Sequence, residues 1–187
     1  LLVVFGMGSQ IMTVSAQQTD LHHLSSYSTG GSDAAEVVAF HSSSKRGFFT
    51  SAAANTLSIL NVADPENPSL ITTISLSAYG GGPNSVAIFD TLVAVAVQAN
   101  VKTDNGSVVF FNVNGDFLSA MVVGALPDML TFSPNGDLLL VANEGEPSDD
   151  YSVDPNGSVS IIDLTNGLMS ATVTSIDFTG YNDQRAS

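Results

Sequence analysis

"SVVFFNV" at residues 107–113 decides the fold, because the chain carries it three times. "TLSILNV" (56–62) precedes it and "SVSIIDL" (158–164) follows it. Leu57, Val108 and Val159 stand 51 residues apart in turn, and so do Asn61, Asn112 and Asp163. The match extends both ways. Immediately upstream lie "RGFFTS" (46–51), "LVAVAVQ" (92–98) and "LLLVANE" (138–144), and before them "EVVAF" (36–40), "NSVAI" (84–88) and "DMLTF" (128–132). Downstream lie "LITTISL" (70–76), "FLSAMVVG" (117–124) and "ATVTSIDF" (171–178). Turn signals separate them: Ser44-Lys45-Arg46-Gly47, Asn114-Gly115-Asp116, Asn135-Gly136-Asp137 and Asn166-Gly167.

Each repeat is therefore four short strands joined by tight turns, and no amphipathic helix interrupts them. Four antiparallel strands at a period of about 40–50 residues is the signature of a β-propeller blade. "LVAVAV" is apolar at every position, as a strand covered on both faces requires. The fold class expected is all-β, a partial propeller of about three blades at 35–76, 83–124 and 127–178. A β-sandwich is the competing reading. Propellers close with about four to eight blades, and three leave two apolar faces uncovered. The chain is thus expected to be part of a longer protein. "LHHLSSYST" (21–29) is a candidate outer strand that closes the ring.

The composition narrows the partners. Eighteen Asp and Glu stand against four Lys and Arg, a formal charge of −14. Nucleic acid and anionic membrane need clustered cations, which are absent here. Lys45, Arg46, Lys102 and Arg185 are scattered, and no phosphate-cradling loop is present. With no Cys, disulfides and thiolate metal sites are excluded. The opening "LLVVFGMGSQIMTVSAQQ" (1–18) begins without Met and without a basic segment, then runs apolar to Val14-Ser15-Ala16. It reads as a signal-peptide remnant over 1–16, with a buried strand or short anchor helix as the alternative. It is too short and too interrupted to span a bilayer. A secreted or cell-surface location follows.

The acidic stretch "VANEGEPSDDYSVDPNGSVS" (141–160) sets the question of function. Glu144, Glu146, Asp149, Asp150 and Asp154 gather between two strands with no basic residue among them. In a blade, the loop entering the inner strand and the loop between strands two and three open at one end, where binding loops converge. Repeat alignment puts Glu36, Asn84 and Asp128 just ahead of their inner strands, ringing the channel mouth beside this loop. Asp104 in "QANVKTDNG" (98–106) is the counterpart in the second repeat. Ca²⁺ takes six to eight oxygen ligands. Glu36, Asn84, Asp128, Glu144, Glu146, Asp149 and Asp150 are the candidate ligands, against the alternative of a solvated acidic loop. The loop lacks EF-hand spacing.

The run "YGGGPN" (79–84) permits positive φ or a close approach to a ligand, with a tight turn as the commoner cause. It is no dinucleotide fingerprint, because no helix follows it. His22, His23 and His41 read as surface residues. Asn105-Gly-Ser107 and Asn156-Gly-Ser158 are glycosylation sequons or simply tight Asn-Gly turns. No Ser–His–Asp or Cys–His arrangement is visible.

"SAYGGGPNSVAI" (77–88), "VGALPDMLTFSPNGDLLLVANEGEPSDDY" (123–151), "DPNGSVSIIDL" (154–164) and "DFTGYNDQRAS" (177–187) together resemble the choice-of-anchor I domain family. "VADPENPSLITTISL" (62–76) also resembles the LVIVD-type propeller repeat. The first resemblance covers nearly all of 30–187 and is most specific at 123–151. It implies a secreted or surface-attached bacterial propeller, longer than this chain. It also implies kinship with mesenchyme-specific cell-surface glycoproteins of skeleton-forming animal cells, and so an extracellular role beside calcium mineral. Members often carry an alkaline phosphatase or phytase-like label.

Three functions stay open. One is a non-enzymatic surface module that binds Ca²⁺ and associates with surface, matrix or mineral components. Another is a metal-dependent phosphomonoesterase using the same acidic face. The last is a protein-interaction scaffold without metal.

Overall fold

The computed structural model describes residues 22–29 and 35–184. The signal-peptide reading at 1–16 falls outside them. Among the described residues the fold is all-β: twelve strands in three four-stranded antiparallel sheets, with two short 3-10 turns, Leu168–Ser170 and Thr179–Gln184. The first sheet is β1 (Val38–His41), β2 (Arg46–Ser51), β3 (Thr56–Asn61) and β4 (Ser69–Ser75). The second is β5 (Gly82–Phe89), β6 (Leu92–Gln98), β7 (Asn105–Asn112) and β8 (Phe117–Ala125). The third is β9 (Pro127–Phe132), β10 (Leu138–Asn143), β11 (Ser158–Asp163) and β12 (Thr172–Asp177). Each strand pairs with the next in sequence, so each repeat becomes one meander. The sheets do not close on one another among the described residues.

Strand alternation explains the packing. Successive side chains point to opposite faces, so β6 and β7 divide their apolar residues between two interfaces. Val93, Val95, Val97, Val109 and Phe111 pack on the first sheet's Phe48, Leu57 and Ile59. Ala94, Ala96, Val108 and Phe110 pack on the third sheet's Leu130, Leu139, Val141 and Ile162. The second sheet is thus buried on both faces, as the uninterrupted run at 92–97 requires. The first strands, β1, β5 and β9, neighbour one another along one side.

The two outward faces differ. On the third sheet, the residues alternating with the core set are Met129, Leu140, Ala142 and Ile176, all exposed. On the first sheet, Val38 and Phe40 are exposed but Phe49 is buried. Residues 22–29 form no strand, and they lie against this sheet. The Tyr27 ring sits 6.5 Å from that of Phe49, and the Ser25 hydroxyl donates to Pro65 O at 2.6 Å.

The turns obey local chemistry. Gly136 has φ of 77°, and a Cβ there would also collide with the Phe89 ring, so glycine is required twice over. His41 is a correction to the surface reading: it is buried and its Nδ1 lies 2.7 Å from the Ser44 hydroxyl, holding the β1–β2 turn. His22 and His23 are exposed. At one end of the stack Arg46 Nη1 donates to Val113 O (2.5 Å) and Asn114 Oδ1 (2.7 Å), tying the first sheet to the second.

This packing makes a prediction about stability. Phe110→Ala should cost about 3–5 kcal/mol, because it empties a fully buried site between two sheets. Val38→Ala, at a side chain that is 72% exposed, should stay within about 0.5 kcal/mol of the parent. Urea unfolding of both variants checks the pair. Equal losses would mean that the second interface is not where the stability lies.

Candidate functional site

A four-stranded meander returns its second-to-third connection to the end where its first strand began. The segments 76–81, 99–104, 125–126 and 144–157 therefore meet at one end of the stack. Backbone bonds join them across sheets: Glu144 N–H donates to Leu126 O (2.9 Å) and Gly145 N–H to Ala125 O (3.2 Å). The "YGGG" run serves this convergence. A Cβ at Gly80 would collide with Gln98 O, and one at Gly81 would stand 2.8 Å from Ala99 O. Neither glycine has positive φ. The run exists for close approach to the chain's own backbone, and no ligand is needed to explain it. Gly106 and Gly157 also lack positive φ, so the two Asn-Gly pairs are not left-handed turns.

The seven candidate ligands meet different fates. Glu36 is exposed two residues before β1, with its N–H on Thr50 O at 3.1 Å. Asn84 lies inside β5, at the register shift between Pro83 and Ser85, and its Nδ2 donates to Pro127 O at 3.0 Å. Asp128 is exposed and is the second residue of β9. Asn84 and Asp128 thus sit within their strands, where the repeat alignment puts them just ahead. The reason is that pairing begins earlier, at Gly82 and Pro127.

Glu144 follows β10 directly. Partial desolvation raises its carboxyl above the usual glutamate range, and the nearby charges of Asp128 and Glu146 raise it further. Asp150 is consumed by its own loop. Its Oδ1 accepts from the Ser148 hydroxyl (2.7 Å), the Ser152 hydroxyl (2.8 Å) and the Ser152 N–H (3.1 Å). These bonds hold its carboxyl down at about 2. A short polar residue satisfying the backbone two residues on is turn chemistry.

The residue that sequence reading missed is Lys102. It reaches from the β6–β7 connection to Asp149 at 2.9 Å and to Glu146 at 3.8 Å. Asp149 first, then Glu146, keeps its ammonium charged to higher pH than usual. Two shallow hollows, of about 390 and 370 Å³, flank this bridge, and Lys102, Ser148 and Asp149 line both. Among the described residues, no three His, Asp or Glu side chains group closely enough to hold a metal ion. The arrangement is a cross-sheet ion pair at 102 and 149, with Glu144 nearby under the charges of Asp128 and Glu146.

Comparison with known proteins places this geometry. The choice-of-anchor I domain matches residues 36–187. No curated protein matches the chain. Among solved structures, the hydrazine synthase of Kuenenia stuttgartiensis aligns at TM-score 0.58 and 15% identity, covering 75% of this chain and 41% of its own. A putative 6-phosphogluconolactonase of Bacteroides fragilis aligns at 0.55 and 18%, covering 75% and 38%. Its counterpart in Bacteroides uniformis aligns at 0.55 and 14%, covering 75% and 39%. At such identities the likeness is one of fold. The chain spans about two-fifths of the length of each of these proteins. Among the described residues, no helix is long and apolar enough to cross a membrane.

Glu144 yields a pH prediction with a definite sign. A carboxyl whose pKa rises on folding stabilises the fold below its ordinary value and loses that contribution as pH rises through the raised one. Glu144→Gln stays neutral, so it should be more stable than the parent at neutral pH. The gap should shrink as pH falls to about 4. Urea unfolding across this range measures it, and a gap independent of pH would contradict the assignment.

Proposed function

The chain belongs to the choice-of-anchor I domain family, and from this we propose that it is part of a surface-associated β-propeller acting as a non-catalytic binding module. Family membership implies a cell-surface or secreted protein with a β-rich module. The propeller reading is supported by three meanders packed face to face, with their first strands adjacent. The apolar outward faces at Val38 and Phe40, and at Met129 and Leu140, suit further blades. Residues 22–29 lie over the first of these faces, where a ring-closing outer strand belongs.

The loop end is the binding surface in this reading, and its ligand is a divalent cation, Ca²⁺ first. Asp128, Glu144 and Glu146 are the carboxylates available to it, with the Asn84 amide oxygen and loop carbonyls completing the oxygen shell. The observation that carries this is the raised carboxyl of Glu144, lifted first by partial desolvation and then by the charges of Asp128 and Glu146, which a cation would relieve. Three side chains are not preset around one point, so binding requires the loop to adjust and its affinity falls in the millimolar range of about 10⁻⁴–10⁻³ M known for extracellular sites. Lys102 is a built-in competitor, because it already holds Glu146 and Asp149. Association with surface, matrix or mineral components follows from a cation-loaded face. The alternative, a metal-dependent phosphoesterase, would use the same carboxylates and rely on the cation alone to hold phosphate, since Lys102 is engaged by carboxylates and Arg46 by carbonyl oxygens at the opposite end.

Thermal melting of the full-length protein in excess Ca²⁺ and in chelator tests the proposal. At 100-fold over Kd the cation should add about 2.7 kcal/mol to the native state. Glu144→Gln should abolish the shift. Lys102→Gln should enlarge it by freeing two carboxylates. No shift in either the parent or Lys102→Gln overturns calcium binding and leaves the metal-free scaffold.

A further inference from the structure

A crevice of about 460 Å³ opens between the second and third sheets at their outer edge, on the loop side. Its size is that of a small-molecule site. Strand β8 forms one wall and β11 with β12 the other. Elsewhere this interface is closed by Ala94, Phe110, Val141 and Ile162. Here the third sheet presents a polar ladder instead. Ser160 pairs across the strands with Ser175, and Ser158 with Asp177.

The ladder is backed by a buried amide. Asn143 is 3% exposed, and its Nδ2 donates to the Ser158 hydroxyl (3.1 Å) and the Ser160 hydroxyl (3.0 Å). A hydroxyl that accepts in this way keeps its own hydrogen to donate elsewhere. Asn143 therefore turns two serines into donors. Asp177 is oriented too: its Oδ1 accepts from the Thr179 hydroxyl (2.7 Å) and N–H (3.1 Å), and the residue lines the crevice with its second oxygen left to accept elsewhere. Gly124 on β8 makes the close approach possible, since a Cβ there would stand 2.6 Å from Ser158 Oγ. At the rim, Asn156 is shared with a hollow of about 190 Å³ that Gly157, Thr179 and the exposed Phe178 complete.

The lining selects a ligand class. It contains no Lys, Arg or His, and its one charge is a carboxylate, so anions are disfavoured. A single carboxylate is also too little for a hard cation. What remains is paired hydroxyl donors, a carboxylate acceptor, valine surface from Val122 and Val173, and an aromatic ring at the mouth. We propose that this crevice binds a neutral saccharide of one or two rings, with Asp177, Ser158 and Ser175 taking its hydroxyls and Phe178 its apolar face.

Isothermal titration of the full-length protein with lactose, maltose and N-acetylglucosamine, each in chelator, tests this apart from any calcium site. At least one should bind. Asp177→Asn should weaken that binding at least about tenfold, the loss of a charged hydrogen bond, and Ser175→Val about two- to tenfold, the loss of a neutral one. Both positions lie on an exposed edge strand, so melting temperature should not move. Gly124→Ala should close the crevice and abolish binding. No binding of any of the three sugars overturns the proposal. So does binding that the Asp177→Asn, Ser175→Val double variant leaves unchanged.

Discussion

A strand residue faces one side of its sheet or the other, and the structure rests on how β6 and β7 spend that alternation. Their odd-numbered residues seal the interface with the first sheet and their even-numbered ones seal the interface with the third. The two faces are not equal in size. Valines at 93, 95 and 97 meet Phe48 and Ile59, whereas alanines at 94 and 96 leave room for Phe110 and Leu139. Because both faces are apolar, the middle sheet must stack between neighbours. Stacked meanders of even strand number return their alternate connections to one end. The convergence of the loops is therefore a consequence of packing, and the chemistry at that end inherits its geometry from Val95 and Phe110.

Charge is used sparingly within this frame. Arg46 and Lys102 each bridge neighbouring sheets, one at either end of the stack. An exposed pair such as Lys102–Asp149 adds only about 0–1 kcal/mol. Its larger effect is selective, because it engages Asp149 and Glu146 and leaves Glu144 under the charge of Asp128. Asp150, bonded three times within its own turn, belongs to loop architecture. One stretch of five carboxylates thus divides into a structural aspartate, a paired region and an unrelieved remainder.

The strands were legible in the sequence because the 51-residue offset of Leu57, Val108 and Val159 reports a repeated environment directly. The two-sided burial of 92–97 was legible for the same kind of reason: a strand with no polar alternation has no solvent face. That the loop at 144–157 opens beside Asp128 followed from counting strands. Lys102 was not legible, since it lies more than forty residues from Asp149 in sequence and meets it only when two sheets stack. Asp150 offered a local signal in Ser148-x-Asp150-x-Ser152, the spacing of a self-bonded turn. Burial of His41 and the polar crevice at Ser158 and Asp177 depend on what the neighbouring segment presents, which no single strand records.

Contacts in this stack are made between adjacent sheets, and the second sheet alone has two neighbours among the described residues. Stability in such an array is a sum of unit and junction terms, as in a one-dimensional chain of coupled spins. The central amides of β6 and β7 sit at the junction of both couplings, so they open only when a whole neighbour detaches. Those of β12, exposed along its length, open singly. Amide exchange would therefore read out as a gradient that falls from the middle sheet outward, with the loop end anchored at its slow pole through 99–104 and free to breathe at its fast one.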